Sequence, residues 1–384
     1  MLNVGVIGIG NCGNQVAKLA FSEARCDAFV INTSENDLAT IPDAIPRKCV
    51  GDAQGSGKNR DAAKAFLKNS IMELMRDESF AKFMAEKEVV LVVSSMGGGS
   101  GSGIAPIMSS IIRDAFRAPD GSELITILVG VLPKLSEGYS TQVNALDYTH
   151  ELYNVLENPT YMIFDNNNFT KETSYKVLER VNKEIIDCIK VMQCVYNLPT
   201  PYDSIDEKDM KTLLSSPGRI FISTLLDVKE KDLDNVTIED LLIDTFKKSA
   251  HAEMQRDGIV ARTGLITNLS EKLNSEFDTH IEKVRSFVGE PTEEFLHVTV
   301  NSEKAAPNNV ALIITGLTKI VDRIDKIRDR IDEIEAKNDA LEAAEAEVTS
   351  EDIEKMNARR NYRKSTVPQS EVNIGSIFDK FGVK

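Results

Sequence analysis

The chain has 384 residues, 42% of them hydrophobic, and a formal net charge of −15. That is apolar material for two ordinary domains with packed cores, and it excludes a disordered chain. An acidic body also argues against direct grip on nucleic acid, which needs clustered Lys and Arg, so any DNA link is expected to run through a partner or a local basic segment.

The N-terminus "MLNVGVIGIG" has no basic leader and runs straight into a strand, so it does not read as a signal peptide. From Val4 to Leu132 the pattern is strand, loop, helix, repeated. The strands are "NVGVIGI", "AFVINT", "VVLVVSS" and "LITILVGVL", with helical stretches such as "KNRDAAKAFLKNSIMELM" between them. This predicts an α/β fold whose first part, residues 1–173, is a Rossmann-like domain with a parallel sheet covered on both faces. A further strand, "TYMIFD", ends at Asp165. "LITILVGVL" is only nine residues long, too short to cross a bilayer, and no direct membrane contact is expected.

A long central helix is predicted from Ser174 to Val195, followed by the Pro-broken acidic loop "NLPTPYDSIDEKDM"; together they fill 174–217. A second α/β domain follows over 218–316, with strands such as "RIFIST", "HVTV" and "NVALIIT". From Leu317 to Val367 there is neither Gly nor Pro. Leu317, Ile320, Ile324, Ile327, Ile331, Ile334, Asn338 and Leu341 form one stripe, which predicts a long C-terminal helix over 317–360. Thr349 and Ser350 are placed to cap a restart of that helix. The tail, 361–384, begins within the basic stretch "ARRNYRK" and ends in a short apolar face: Ile374, Ile377, Phe378 and Phe381. Such a face suits a groove on an adjacent subunit or on an adaptor. The five cysteines, Cys12, Cys26, Cys49, Cys188 and Cys194, are odd in number and show no C-x-x-C spacing. They read as reduced thiols in a cytoplasmic protein without a zinc site.

Glycine loops carry the chemistry. "GIGNCG" places Gly8, Gly10 and Gly13 directly after a strand and before a helix, where backbone N–H groups approach a phosphate. As a dinucleotide fingerprint it lacks the ribose-binding acid at the end of the second strand; Asn32 stands there. "GDAQGSGKNR" has the flavour of a P-loop but the wrong spacing, and Asn59 replaces the Ser or Thr that magnesium needs. "GGGSGSG", Gly97–Gly103, packs five glycines and two serines into seven positions. Its N–H groups make an anion nest, and Ser100 and Ser102 can donate hydroxyls. Several glycine rims on successive strands imply a polyphosphate.

Together these motifs resemble the tubulin/FtsZ family of GTPases. "GGGSGSG" matches the signature GGG[ST]G[ST]G, and "GNCGNQ" is similar to the first phosphate loop of tubulins. "INT" at Ile31–Thr33, "GSGKN" at Gly55–Asn59, "LPKLSEG" at Leu132–Gly138 and "FDNN" at Phe164–Asn167 follow in family order. The form of these motifs is nearest to the TubZ branch, carried by plasmids and phages. The resemblance implies binding of GTP or GDP with Mg²⁺ and assembly-stimulated GTP hydrolysis. It implies a nucleotide site of Gly10, Asn11, Cys12, Asn32, Gly57, Lys58, Ser95, Gly98, Gly99, Ser100, Gly101 and Ser102, with Glu137 at the ribose and Asn166 and Asn182 at guanine. Leu178 stands where the family often carries a base-stacking aromatic. In FtsZ the acidic loop reads N-x-D-x-x-D; here Ser204, Asp206 and Asp209 occupy it. Asp206 and Asp209 are the implied catalytic acids, acting on the nucleotide of the next subunit in a head-to-tail filament. The implied role is to move or position plasmid or phage DNA, with a possible DNA-binding adaptor at the tail. A phage spindle that centres phage DNA, and a dinucleotide-dependent oxidoreductase, stay open as alternatives.

Overall fold

The structure, a computed structural model, describes residues 2–193, 206–233, 236–254, 260–299, 308–317 and 319–346. The readings for Cys194, Ser204, Thr349, Ser350, the basic stretch and the apolar tail (Ile374, Ile377, Phe378, Phe381) lie outside the described residues.

The first six strands are β1 (Val4–Ile9), β2 (Asp27–Asn32), β3 (Arg47–Cys49), β4 (Val89–Ser95), β5 (Ile125–Leu132) and β6 (Thr160–Asp165). Four more follow: β7 (Gly218–Val228), β8 (Arg262–Asn268), β9 (Glu294–Thr299) and β10 (Asn308–Leu317). They form one ten-stranded sheet in the order β3-β2-β1-β4-β5-β6-β7-β10-β8-β9. The first seven strands pair in parallel; β10 runs antiparallel to both of its neighbours, β7 and β8.

Helices α1 (Gly10–Glu23), α2 (Glu35–Leu38), α3 (Arg60–Met75), α4 (Glu78–Met84), α5 (Ser100–Ala115) and α6 (Tyr139–Asn154) connect the parallel strands. The remaining helices are α7 (Ser174–Met192), α8 (Glu207–Ser215), α9 (Ile238–Lys247), α10 (Glu271–Val288) and α11 (Val321–Ala346). Alternate strand residues point to opposite faces, as the pleat requires. Val4, Val6, Val89, Leu91 and Val93 meet α1, α7 and α8, whereas Ile7, Ile9, Val90 and Val92 meet α3, α4, α5, α6 and α11. In the second half Phe221, Leu265, Val310 and Leu312 pack with α9 and α10.

The two halves of the sheet meet along a short seam. Strands β6 and β7 share only the pairs Thr160↔Gly218 and Tyr161↔Arg219. Beyond them the segment Ala250–Ala252 fills the gap: Asp165 N donates to Ala250 O at 2.8 Å and Ala252 N to Ile163 O at 2.8 Å. His251 closes it from the other side, its Nε2 accepting from Ile222 N at 3.5 Å. Its ring lies between those of Phe164 and Phe221, at centroid distances of 4.1 and 4.2 Å. Burial, reinforced by the nearby Arg219 charge, lowers the His251 pKa to about 3.

The predicted C-terminal stripe divides in two. Ile320, Ile324, Ile327 and Ile331 are buried in the same core as Tyr148 and Leu152 of α6. Past that point α11 leaves the body, and Leu341 is 61% exposed.

Ile327→Ala should therefore destabilise the fold by roughly 2–5 kcal/mol in denaturant titration, whereas Leu341→Ala should change it by less than about 0.5 kcal/mol. The neutral His251 gives a second expectation. The unfolded chain takes up a proton near pH 6.5 and the folded chain does not, so stability falls as pH drops below that value. The loss from this group reaches at most about 1.4 kcal/mol per pH unit, and His251→Gln should flatten the decline measured between pH 7 and pH 4.5.

Candidate nucleotide-binding site

The order of the parallel strands reverses between β1 and β4, since β2 and β3 are added on one side and β5 and β6 on the other. A sheet of this kind opens a crevice there, at the carboxyl ends of the strands. Register places the two loops level: Ile9, the last residue of β1, pairs with Ser94 of β4. A cavity of about 380 Å³ occupies this crevice.

The loops after β1 and β4 and the "GSGK" segment all line it. Of the residues expected from sequence, Gly10, Asn11, Cys12, Asn32, Gly57, Lys58, Ser95, Gly98, Gly99, Ser100 and Gly101 reach its wall. Helices α1 and α5 start at this wall, and neither has a side-chain N-cap or an acid in its first turn. The first N–H groups of a helix have no internal partner, and the helix dipole makes them positive. Two such ends converging on one crevice form an anion site. By contrast α3, α4, α8 and α9 are capped by a side chain, from Asn59, Asp77, Asp206 and Thr237, while α6, α7 and α10, also without a side-chain cap, do not start at this cavity.

The loops touch backbone to backbone. Gly10 has φ +70°, and a Cβ there would lie 2.9 Å from Gly101 N. A Cβ on Gly99 would lie 2.3 Å from Ser56 Oγ and 2.7 Å from Lys58 Cα. Hydroxyls fasten the same junction, with Ser100 Oγ 2.6 Å from Thr33 Oγ1 and 3.2 Å from Ser56 Oγ. Ser102 stands behind the loop: it is buried and its hydroxyl donates to the Gly98 carbonyl. Asn32 is buried too; its Oδ1 accepts from Thr33 N at 2.8 Å and its Nδ2 donates to Asp37 Oδ2 at 3.2 Å. Burial raises the Cys12 thiol to about 12, so it is a neutral part of the wall.

Asp37 and Asn144 are among the residues at this site that were not expected from sequence. Asp37 supplies a carboxylate to the cavity wall. Asn144, on the buried face of α6, points its Nδ2 at Lys58 O (3.0 Å), Gly97 O (3.2 Å) and Gly98 O (3.2 Å), tying the second loop to the third. Behind it Glu151 binds Arg60 and Lys64 at 2.6 Å each. The signal available in sequence was a run of polar residues on the inner face of α6, namely Thr141, Asn144 and Glu151.

The residues expected at ribose and base do not line this cavity. Glu137 is exposed on the loop after β5, its Oε1 accepting from Lys134 N at 2.8 Å. Asn166 follows β6, and its Oδ1 is buried without a hydrogen-bond partner. Asn182 is half-buried on α7, with the exposed Leu178 one turn before it.

Asp206 and Asp209 sit at the other end of the sheet. They form a reciprocal cap on α8: Asp206 Oδ1 accepts from Asp209 N, and Asp209 Oδ2 from Asp206 N, both at 2.9 Å. Lys211 pins the same helix to Glu88 (2.8 Å) and Asp120 (3.3 Å), just before β4 and β5 begin. The seven residues of β4 separate that rim from the glycine loops, about 20 Å of strand.

Residues 3–174 match the family model described as tubulin/FtsZ family, GTPase domain. The tubulin-like protein CetZ2 of Haloferax volcanii is 29% identical over 151 residues, 36% of this chain and 39% of that protein, so the match spans well under half of CetZ2. The tubulin-like protein TubZ of Clostridium botulinum C phage is 25% identical over 300 residues, 75% of this chain and 73% of that protein. Among solved structures, the GTPγS-form protofilament of TubZ from Bacillus thuringiensis serovar israelensis superposes with a TM-score of 0.71 at 18% identity, covering 89% of this chain and 94% of that one. Among the described residues no helix is long and apolar enough to cross a membrane.

Gly99→Ala should push the "GSGK" segment off the third loop. Equilibrium binding of GDP should weaken at least about tenfold, the effect of 1.4 kcal/mol, while the far-ultraviolet circular dichroism stays that of the parent.

Proposed function

We propose, from the match of residues 3–174 to the tubulin/FtsZ family GTPase domain, that this chain is a GTP-driven filament subunit whose hydrolytic site is completed only between two copies. The observation that carries this reading is the separation of parts. The anion crevice lies at the carboxyl rim of the sheet, and Asp206 and Asp209 cap the helix that Lys211 ties to Glu88 and Asp120 at the opposite rim. Within one copy they cannot act on the same phosphate. Stacked head to tail, the acids of one copy face the crevice of the next. Such a contact is heterologous and grows an open filament. The protofilament form of the TubZ neighbour supports it.

In this reading the N–H groups of α1 and α5 hold the phosphates, Glu137 meets the ribose, and Asn166 and Asn182 read guanine. An amide both donates and accepts, which suits the edge of that base. Asp206 and Asp209 each use one carboxylate oxygen as a cap and keep the other to orient a water toward the γ-phosphate. Asp37 is the one wall carboxylate, a hard oxygen donor that suits Mg²⁺ whose other ligands are phosphate and water; the ion would supply charge neutralisation there. The reading extends to a cargo of plasmid or phage DNA, coupled through an adaptor at the C-terminal residues; a tubulin-like protein encoded by a phage is among the similar proteins.

The test is GTPase rate against protein concentration, with sedimentation of the same samples. Rate per molecule should climb steeply above a critical concentration; a constant rate would defeat the shared site. Alanine at 206 or 209 would also strip a cap, costing about 1 kcal/mol, so the amides are the cleaner variants. Asp206→Asn and Asp209→Asn keep the cap acceptor. They should keep GTP binding and filament formation and slow hydrolysis by about 100-fold, the scale of a lost general base.

A further inference from the structure

Helix α11 bonds the end of β6, the loop after β5 and the first residue of α6. Arg323 is buried; its Nε donates to Asp165 Oδ2 at 2.5 Å and its Nη2 to Asp165 Oδ1 at 3.2 Å. The same Nη2 also donates to the Pro133 carbonyl at 2.7 Å. One guanidinium thus spans the end of β6 and the start of the loop after β5. Two turns on, Arg330 Nε donates to Leu135 O at 3.1 Å. Farther along, Tyr139 OH donates to Glu335 Oε1 at 2.6 Å.

The two loops are also tied to each other. Asp165 Oδ1 accepts from Asn167 N at 2.9 Å, and Asn167 Oδ1 accepts from Leu135 N at 3.1 Å. Glu137 is held by Lys134 N within the first loop, and Asn166 lies between Asp165 and Asn167 in the second. Together with the bonds from Lys134 Nζ to Glu172 O (3.3 Å) and from Gln142 Nε2 to Glu137 O (3.3 Å), this network fixes the relative position of Glu137 and Asn166, and its only buried cation among the described residues is Arg323.

We propose that Arg323 is a positioning residue for the nucleotide: from α11 it holds the loops of Glu137 and Asn166 at the spacing that ribose and base require. This rests on the reading of Glu137 and Asn166 as nucleotide contacts. A fork is needed because two acceptors on two loops must be met by one planar group. Lysine keeps the charge beside Asp165 but is a point donor without that fixed geometry. The phosphate end has its own hydrogen bonds, from Asn144 and the helix starts, none of which is made to α11.

Arg323→Lys separates the two ends. Binding of GDP and of inorganic tripolyphosphate, each with Mg²⁺, is measured on the full chain below its assembly concentration, with the melting temperature recorded. Arg323→Lys should weaken GDP about tenfold, within the usual range of coupling between sites, and leave tripolyphosphate affinity and melting temperature at the parent values. Arg330→Ala, a change at a partly exposed α11 residue that bonds the same loop, should weaken GDP in the same selective way by about threefold, a smaller coupling. Unchanged GDP affinity in Arg323→Lys overturns the proposal, and so does equal weakening of both ligands, the mark of a general structural role. If the parent protein binds GDP no more tightly than tripolyphosphate, the base-side reading fails first and the proposal falls with it. If the parent prefers GDP and Arg323→Lys keeps that preference, only the proposal fails.

Discussion

The close approach of three backbone loops governs this molecule. At Gly10 and Gly99 there is no room for a β-carbon, because the first loop touches the third and the third touches the second. The crevice wall is accordingly rich in glycines and serines, whose peptide groups and hydroxyls stand close to it. The charged side chains on it are Asp37 and Lys58, which cancel. Affinity for an anion then comes from dipoles and unfilled donors, in a protein whose formal charge is −15. A local field of fixed peptides overcomes a global repulsion that solvent and salt screen.

The rest of the architecture keeps that crevice in shape and connects it to distant parts. Helix α6 bonds the second and third loops through Asn144, and α11 bonds the loops beyond β5 and β6 through Arg323. Helix α7 starts near the end of β6 and lies against α1. Its 19 residues give it a length of about 28 Å, enough to cross the sheet from rim to rim. Its core residues share one cluster with those of α8, so the position of Asp206 and Asp209 is fixed by packing with the same apolar layer that backs the phosphate loops.

Much of this was legible in sequence, and the reason is local. Strands β4 and β6 fall where the apolar runs end, and α3 opens just after Asn59, because periodicity and capping act over a few residues. The glycine loops were legible because close backbone approach tolerates only one residue type. Strand β3 was not: three residues at a sheet edge, Arg47–Cys49, carry no periodicity. Strand β8, "RTGLITN", has polar residues at both ends and becomes a strand through its neighbours β10 and β9. Asn144 and Arg323 escaped because their partners lie 86 and 158 residues away. The spacing of Asp206 and Asp209 holds two meanings at once. A D-x-x-D at a helix start is a reciprocal cap as well as a pair of acids.

Placing a crevice at one rim and a pair of acids at the other gives each copy a direction, like a vector with unlike head and tail. In a head-to-tail stack the two termini are then chemically different objects. On the proposed shared site, one ends in a crevice that no neighbour's acids reach, so its nucleotide would outlive those inside. The other would end in acids with nothing to act on. Such a polymer would carry its own arrow, and a clock that starts for each subunit only when the next one arrives.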